Sequence, residues 1–137
     1  MYRILLVDDD AMVLRTIRMM FETKSHFEVI TATCARDAIA SLSEPDGHYD
    51  VVITDMRMET STSGFDVLRA AKSLPQPPLV AILSAFPIPT SDWRGAGADA
   101  MFHKGGGAMH MVEDLDRLLS TYRQRNQPGS TGRYHGL

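Results

Sequence analysis

Short apolar runs, each ending in polar residues, divide the chain. Ile4-Leu5-Leu6-Val7 ends at Asp8-Asp9-Asp10, the stretch from Tyr49 through Val51-Val52-Ile53 ends at Asp55, and Leu79-Val80-Ala81-Ile82-Leu83 ends at Ser84. Runs of this length without polar alternation predict strands buried on both faces. Phe27 to Thr31 predicts a shorter strand, and Ala100-Met101-Phe102 a weak last one before His103-Lys104. Between the runs the apolar spacing turns helical. Val13, Ile17, Met20 and Phe21 mark a helix over Ala11 to Lys24, and Ala35, Ala38, Ile39 and Leu42 a second, stopped near Pro45-Asp46-Gly47. Gly64 to Leu68 opens a third, with Ser63 or Gly64 at its start and Pro75 and Pro77-Pro78 beyond it. Pro87 and Pro89 allow only a short fourth helix around Trp93. Met111, Val112, Leu115, Leu118, Leu119 and Tyr122 line the fifth and most periodic helix.

The order is β-α repeated. Crossovers of this length predict parallel strands with helices on both faces, a doubly wound three-layer α/β sandwich. A chain of 137 residues holds one such domain, expected over residues 1–124, with a flexible polar and glycine-rich tail over residues 125–137.

Composition narrows the functional classes. Hydrophobic residues make up 44% and charged residues 23%, a balance typical of soluble globular proteins. A net charge of -3 argues against direct nucleic-acid binding, which calls for a basic patch. No stretch is long enough for a membrane span, and the acidic start does not fit a signal peptide. The single cysteine, Cys34, cannot form an internal disulfide and reads as a small residue near a helix start. These points lead to an expectation of a cytoplasmic protein.

The candidate chemistry lies at the strand ends. Asp8, Asp9 and Asp55, Ser84 and Lys104 all end strands that a parallel sheet brings to one edge, where α/β sheets bind ligands. Singly, each has an ordinary explanation: Asp8 to Asp10 an acidic helix start, Ser84 a loop hydroxyl, Lys104 a surface lysine. Together they make a phosphoryl clamp. Carboxylates so placed repel one another unless a cation joins them, and all-oxygen ligands suit Mg2+, with Mn2+ able to substitute. A carboxylate inside the clamp can act as nucleophile and form an acyl phosphate. Gly105-Gly106-Gly107 lacks the spacing of a phosphate loop, there is no Cys/His zinc set, and no two histidines sit at ligand spacing.

With these residues in view the chain resembles the receiver domains of two-component response regulators, of the chemotaxis-regulator kind. The resemblance rests on Ile4 to Asp10, Val51 to Asp55, Leu83-Ser84-Ala85 and Gly97-Ala98-Asp99 through Lys104, and spans about Arg3 to Arg123. It implies a flavodoxin-like five-stranded sheet of order 2-1-3-4-5. It implies a phosphoacceptor, not an enzyme with a separate substrate: Asp55 takes a phosphoryl group from a histidine kinase or phosphotransfer protein. It assigns the metal to Asp8, Asp9, Asp55 and the backbone carbonyl of Arg57. Ser84 and Lys104 become the groups that hold the phosphoryl, needed for the phosphorylated state rather than for folding. Output is expected by protein contact, to a downstream target or a second copy, through the face of the last helix.

The chain also departs from that pattern. Glu59 stands where a proline is usual, and Gly64 comes one residue late, so the loop after Asp55 carries an insertion. Gly105 replaces the proline after the lysine, the segment from Ser84 to Lys104 is short, and Met101 takes the usual aromatic switch position. Two alternatives stay open at this stage. One is a dehalogenase-type phosphohydrolase with Asp8 as nucleophile and Asp10 as general acid. The other is a degenerate receiver that binds partners without phosphate.

Overall fold

The structure, a computed structural model, describes residues 1–105 and 110–126. Its elements are β1 (Tyr2–Val7), α1 (Ala11–Glu22), β2 (Phe27–Ala32), α2 (Ala35–Ser43), β3 (Val51–Asp55), α3 (Ser63–Lys72), β4 (Leu79–Ser84), α4 (Thr90–Gly95), β5 (Ala100–His103) and α5 (Met111–Asn126). The strands form one sheet of order β2-β1-β3-β4-β5, and every pairing is parallel.

The apolar runs are buried on both faces because successive side chains point to opposite sides of a strand. Ile4 and Leu6, Val51 and Ile53, and Leu79, Ala81 and Leu83 face α1 and α5, where they meet Leu14, Ile17, Phe21, Met111, Leu115 and Leu119. Leu5, Val7, Val52, Val80 and Ile82 face the other way, onto Ala38, Leu42, Val67, Leu68 and Trp93 from α2, α3 and α4. One short run thus feeds two cores, which is why it contains no polar residue.

Boundaries differ from the sequence reading in places. β3 begins at Val51, not Tyr49. Tyr49 is still buried, under the Arg3 guanidinium at 4.8 Å, and the Asp50 carboxylate accepts from the Arg3 amide at 2.8 Å. α3 does begin at Ser63, one of the two expected starts, with Thr62 before its first turn. α4 is as short as its prolines require and ends at Gly95; two residues on, Gly97 has a φ of 101°, which only glycine adopts without strain. α5 continues through Asn126, so the helix overruns the tail boundary set at 125, and residues 127–137 lie outside the described residues. Of the glycines after Lys104, Gly106 and Gly107 also lie outside them. Among the described residues no helix is long and apolar enough to cross a membrane.

Candidate phosphoacceptor site

The parallel register delivers the predicted residues to one edge. Val7 pairs with Thr54, Asp55 with Leu83, and Ser84 with His103, so Asp8, Asp55, Ser84 and Lys104 leave the sheet side by side. Backbone hydrogen bonds extend that register past the strands: Asp8 N to Ala32 O at 3.2 Å, Met56 N to Leu83 O at 3.2 Å, and Lys104 N to Ser84 O at 2.8 Å.

Asp8 is fully buried and Asp55 nearly so, whereas Asp9 is exposed. One carboxylate oxygen from each lies within 4.8 Å of the others. Asp8 Oδ1 accepts from the Asp10 amide at 2.9 Å. Asp8 Oδ2 is buried as well. Its charge is met by the Lys104 ammonium, 2.8 Å away, which also lies 3.2 Å from Asp55 Oδ2. Three clustered carboxylates, two of them paired with a single ammonium, leave negative charge that an oxygen-binding divalent cation would meet. The donor set therefore fits Mg2+.

Charge and burial act together on the central residue. Burial first, then the Asp8 charge, push the Asp55 carboxyl from 3.8 up to about 6, against the pull of Lys104. At neutral pH it remains ionised. Burial works against the Lys104 charge, but its hydrogen bond to Asp8 and the charges of Asp8 and Asp55 outweigh burial and raise its pKa. Lys104 thus compensates a buried acid in the folded protein, a role the sequence reading did not give it.

Ser84 is buried beside these groups, but its hydroxyl is engaged locally. It donates to the Phe86 carbonyl at 2.8 Å and accepts from the Phe86 amide at 3.1 Å. Asp10 caps α1, its carboxylate accepting from the Met12 amide at 2.9 Å. A cap so engaged is poorly placed as the general acid of a phosphohydrolase. Gly64 packs against the Asp55 backbone: an added Cβ would meet Asp55 O at 2.5 Å and Met56 Cα at 2.7 Å. Met101 is half-buried and packs on the cluster that holds Trp93 and Ile82.

Two contacts around the site escape the sequence reading. The Arg57 guanidinium stacks 4.6 Å over the exposed Phe86 ring and links the loops after β3 and β4. The Glu59 carboxylate accepts from the amides at the start of α2. Glu59 carried a signal, since it replaces an expected proline. The stack carried none, because neither residue type demands a partner.

Known proteins give the same answer. The family model of the response regulator receiver domain matches residues 4–116. A curated relative, the two-component response regulator ARR11 of Arabidopsis thaliana, is 39% identical over 66 residues, which are 48% of this chain and 12% of that protein. A CheY-like receiver domain protein from Methanospirillum hungatei superposes with a TM-score of 0.78 at 20% identity, covering 91% of this chain and 98% of the other. The Francisella response regulator 1452 receiver domain gives 0.77 at 19%, with 89% and 99% covered. The chemotaxis regulator CheY4 of Vibrio cholerae gives 0.72 at 24%, with 86% and 98% covered. At these identities the solved structures speak for the fold alone, the doubly wound sheet of order 2-1-3-4-5. The family match, by contrast, runs from β1 into α5 and through every strand end that carries a polar group, and the chain belongs to the response regulator receiver domains of two-component signalling.

Proposed function

We propose that Asp55 is the phosphoacceptor, in a Mg2+-dependent reaction. The observation that carries this reading is the setting of its carboxylate: at the end of a central strand, grouped with Asp8 and Asp9, and 3.2 Å from the Lys104 ammonium. An Asp55 oxygen attacks the phosphorus of a phosphohistidine. The new P–O bond forms as the P–N bond breaks, the imidazole nitrogen leaves with its electron pair and takes up a proton, and Asp55 becomes an acyl phosphate. Asp8, Asp9, Asp55 and the Arg57 carbonyl would hold the cation. When bound, it neutralises charge on the carboxylates and on the phosphoryl oxygens. The Lys104 ammonium, already paired with Asp55, passes to a phosphoryl oxygen as a mobile point charge. Ser84 reaches the phosphoryl only by leaving its turn with Phe86, so the loop after β4 changes shape when the group arrives.

The donor is a histidine kinase or a histidine phosphotransfer protein. Output runs through protein contact with a target or a second copy on the α5 face, and not through nucleic acid or membrane. Residues 1–124 act as the receiver. The protein works in the cytoplasm and catalyses only its own phosphorylation and dephosphorylation. Met101 is flexible enough to fill an exposed or a buried position, so it couples weakly to the phosphoryl, which suits a relay intermediate.

The test is incubation with Mg2+ and acetyl phosphate, followed by intact mass and adduct mapping. One phosphoryl group on Asp55, lost in Asp55→Asn and in EDTA, is the expected result. A stable adduct on Asp8 in Asp55→Asn would restore the phosphohydrolase reading. No adduct under any condition would leave a receiver that binds partners without phosphate.

A further inference from the structure

The loop between β3 and α3 is fastened at a point no other feature of the site explains. Glu59 lies four residues beyond Asp55, and both of its carboxylate oxygens accept from the Ala35 amide, at 3.1 and 2.9 Å. Oε2 also accepts from the Arg36 amide at 3.5 Å. Ala35 and Arg36 open α2, where the first amides of a helix have no partner within it and favour negative charge. The local cap is Cys34, whose thiol is a weak acceptor and stands 3.5 Å from the Asp37 amide. The carboxylate that completes the cap therefore comes from a distant loop, as a charge-assisted bond.

The rest of the loop is folded on itself. Met58 N donates to Thr60 O at 3.1 Å, Thr60 N to Ser63 Oγ at 2.9 Å, and Gly64 N to Met56 O at 2.9 Å. At its start the loop is held by Met56 N on Leu83 O. Arg57 thus lies on a short span between two anchors, the sheet at Met56 and α2 at Glu59. A proline in place of Glu59 would stiffen the chain at that point through its fixed φ. Here a side chain tethered to a neighbouring helix does that work.

We propose that Glu59 is a positioning residue: by binding the first amides of α2 it holds the β3–α3 loop so that the Arg57 carbonyl is presented beside Asp55 for the cation. This rests on the reading of Asp55 as a Mg2+-dependent phosphoacceptor. Arg57 and Asp55 would touch the cation, and Glu59 acts through them. It also makes the start of α2 sensitive to what happens at the phosphorylation site, since one loop serves both.

The test is calorimetric titration of the unphosphorylated protein with Mg2+, alongside the Mg2+ dependence of labelling by acetyl phosphate. Glu59→Ala should weaken Mg2+ binding about three- to tenfold, the range for one lost hydrogen-bonding anchor. It should raise the Mg2+ needed for half-maximal labelling by the same factor and leave the rate at saturating Mg2+ unchanged. Glu59→Gln, which keeps an acceptor oxygen, should recover most of the loss. Ala40→Gly, on the exposed side of α2 and past the amides that Glu59 binds, controls for weakening the helix itself. It should lower the melting temperature and leave Mg2+ binding as in wild type. Wild-type Mg2+ affinity in Glu59→Ala, or an equal loss in Ala40→Gly, overturns the proposal. Wild-type protein that binds Mg2+ but takes no label on Asp55 overturns the phosphoacceptor reading alone, because the calorimetric comparison still stands. Protein that binds no Mg2+ at millimolar concentration overturns both.

Discussion

Replacing Asp55 by asparagine removes a buried charge beside two others, and in metal-free buffer it should stabilise the folded protein. The Asp55 carboxyl is held at about 6, above its ordinary 3.8, by burial and by the Asp8 charge, with Lys104 opposing. The rise from 3.8 to about 6 corresponds to about 3 kcal/mol at most. Relaxation and water penetration around the charge reduce this to about 1–2 kcal/mol, the opposing pull of Lys104 being already contained in the rise. The sign follows from the direction of the shift. An acid whose folded pKa is raised contributes stability that is full below about pH 4 and lost as the pH rises to about 6. The asparagine amide does not titrate, so the gap between Asp55→Asn and wild type should open between about pH 4 and 6 and stay constant above. At pH 7.5 the variant should melt about 4–8 °C higher, given roughly 4 °C per kcal/mol for a chain of this size. The assay is thermal unfolding by circular dichroism from pH 4 to 8 in EDTA. Mg2+ should then narrow the gap by binding the wild type more tightly than the variant. An Asp55→Asn protein that melts at or below wild type at pH 7.5, or a gap that does not change with pH, would refute the reasoning.

Other substitutions separate the remaining roles. Lys104→Met leaves the buried Asp8 without its counter-charge and should cost about 2–4 kcal/mol in urea unfolding with EDTA, partly recovered by Mg2+. Gly64→Ala drives a Cβ into the Asp55 and Met56 backbone and should cost about 1–3 kcal/mol, with amide NMR shifts concentrated around Asp55. Asp10→Ala removes the α1 cap, costs about 1 kcal/mol and leaves Mg2+ affinity near wild type, whereas Asp9→Ala does the reverse, by calorimetry and melting.

The fold could be read from the chain because burial on both faces leaves a local trace. A strand between two helical layers must be apolar at every position, and Ile4 to Val7, Val51 to Ile53 and Leu79 to Leu83 are. Parallel pairing then requires crossovers, and those stretches carried helical spacing. The polar residues at the strand ends were equally plain, since a carboxylate closing an apolar run stands out without any structure. What those residues do to one another was not readable. That Lys104 meets Asp8 as well as Asp55, that the Ser84 hydroxyl turns onto Phe86, and that Arg57 stacks on Phe86 depend on distances between segments. The clearest case is Glu59. As a letter in the chain it was a missing proline, and its role as a cap for Ala35 exists only because the sheet brings two loops to the same edge. Periodicity reports a residue's own environment, buried or exposed. Pairing belongs to the tertiary structure, because a partner 24 residues away leaves no mark on the residues beside it.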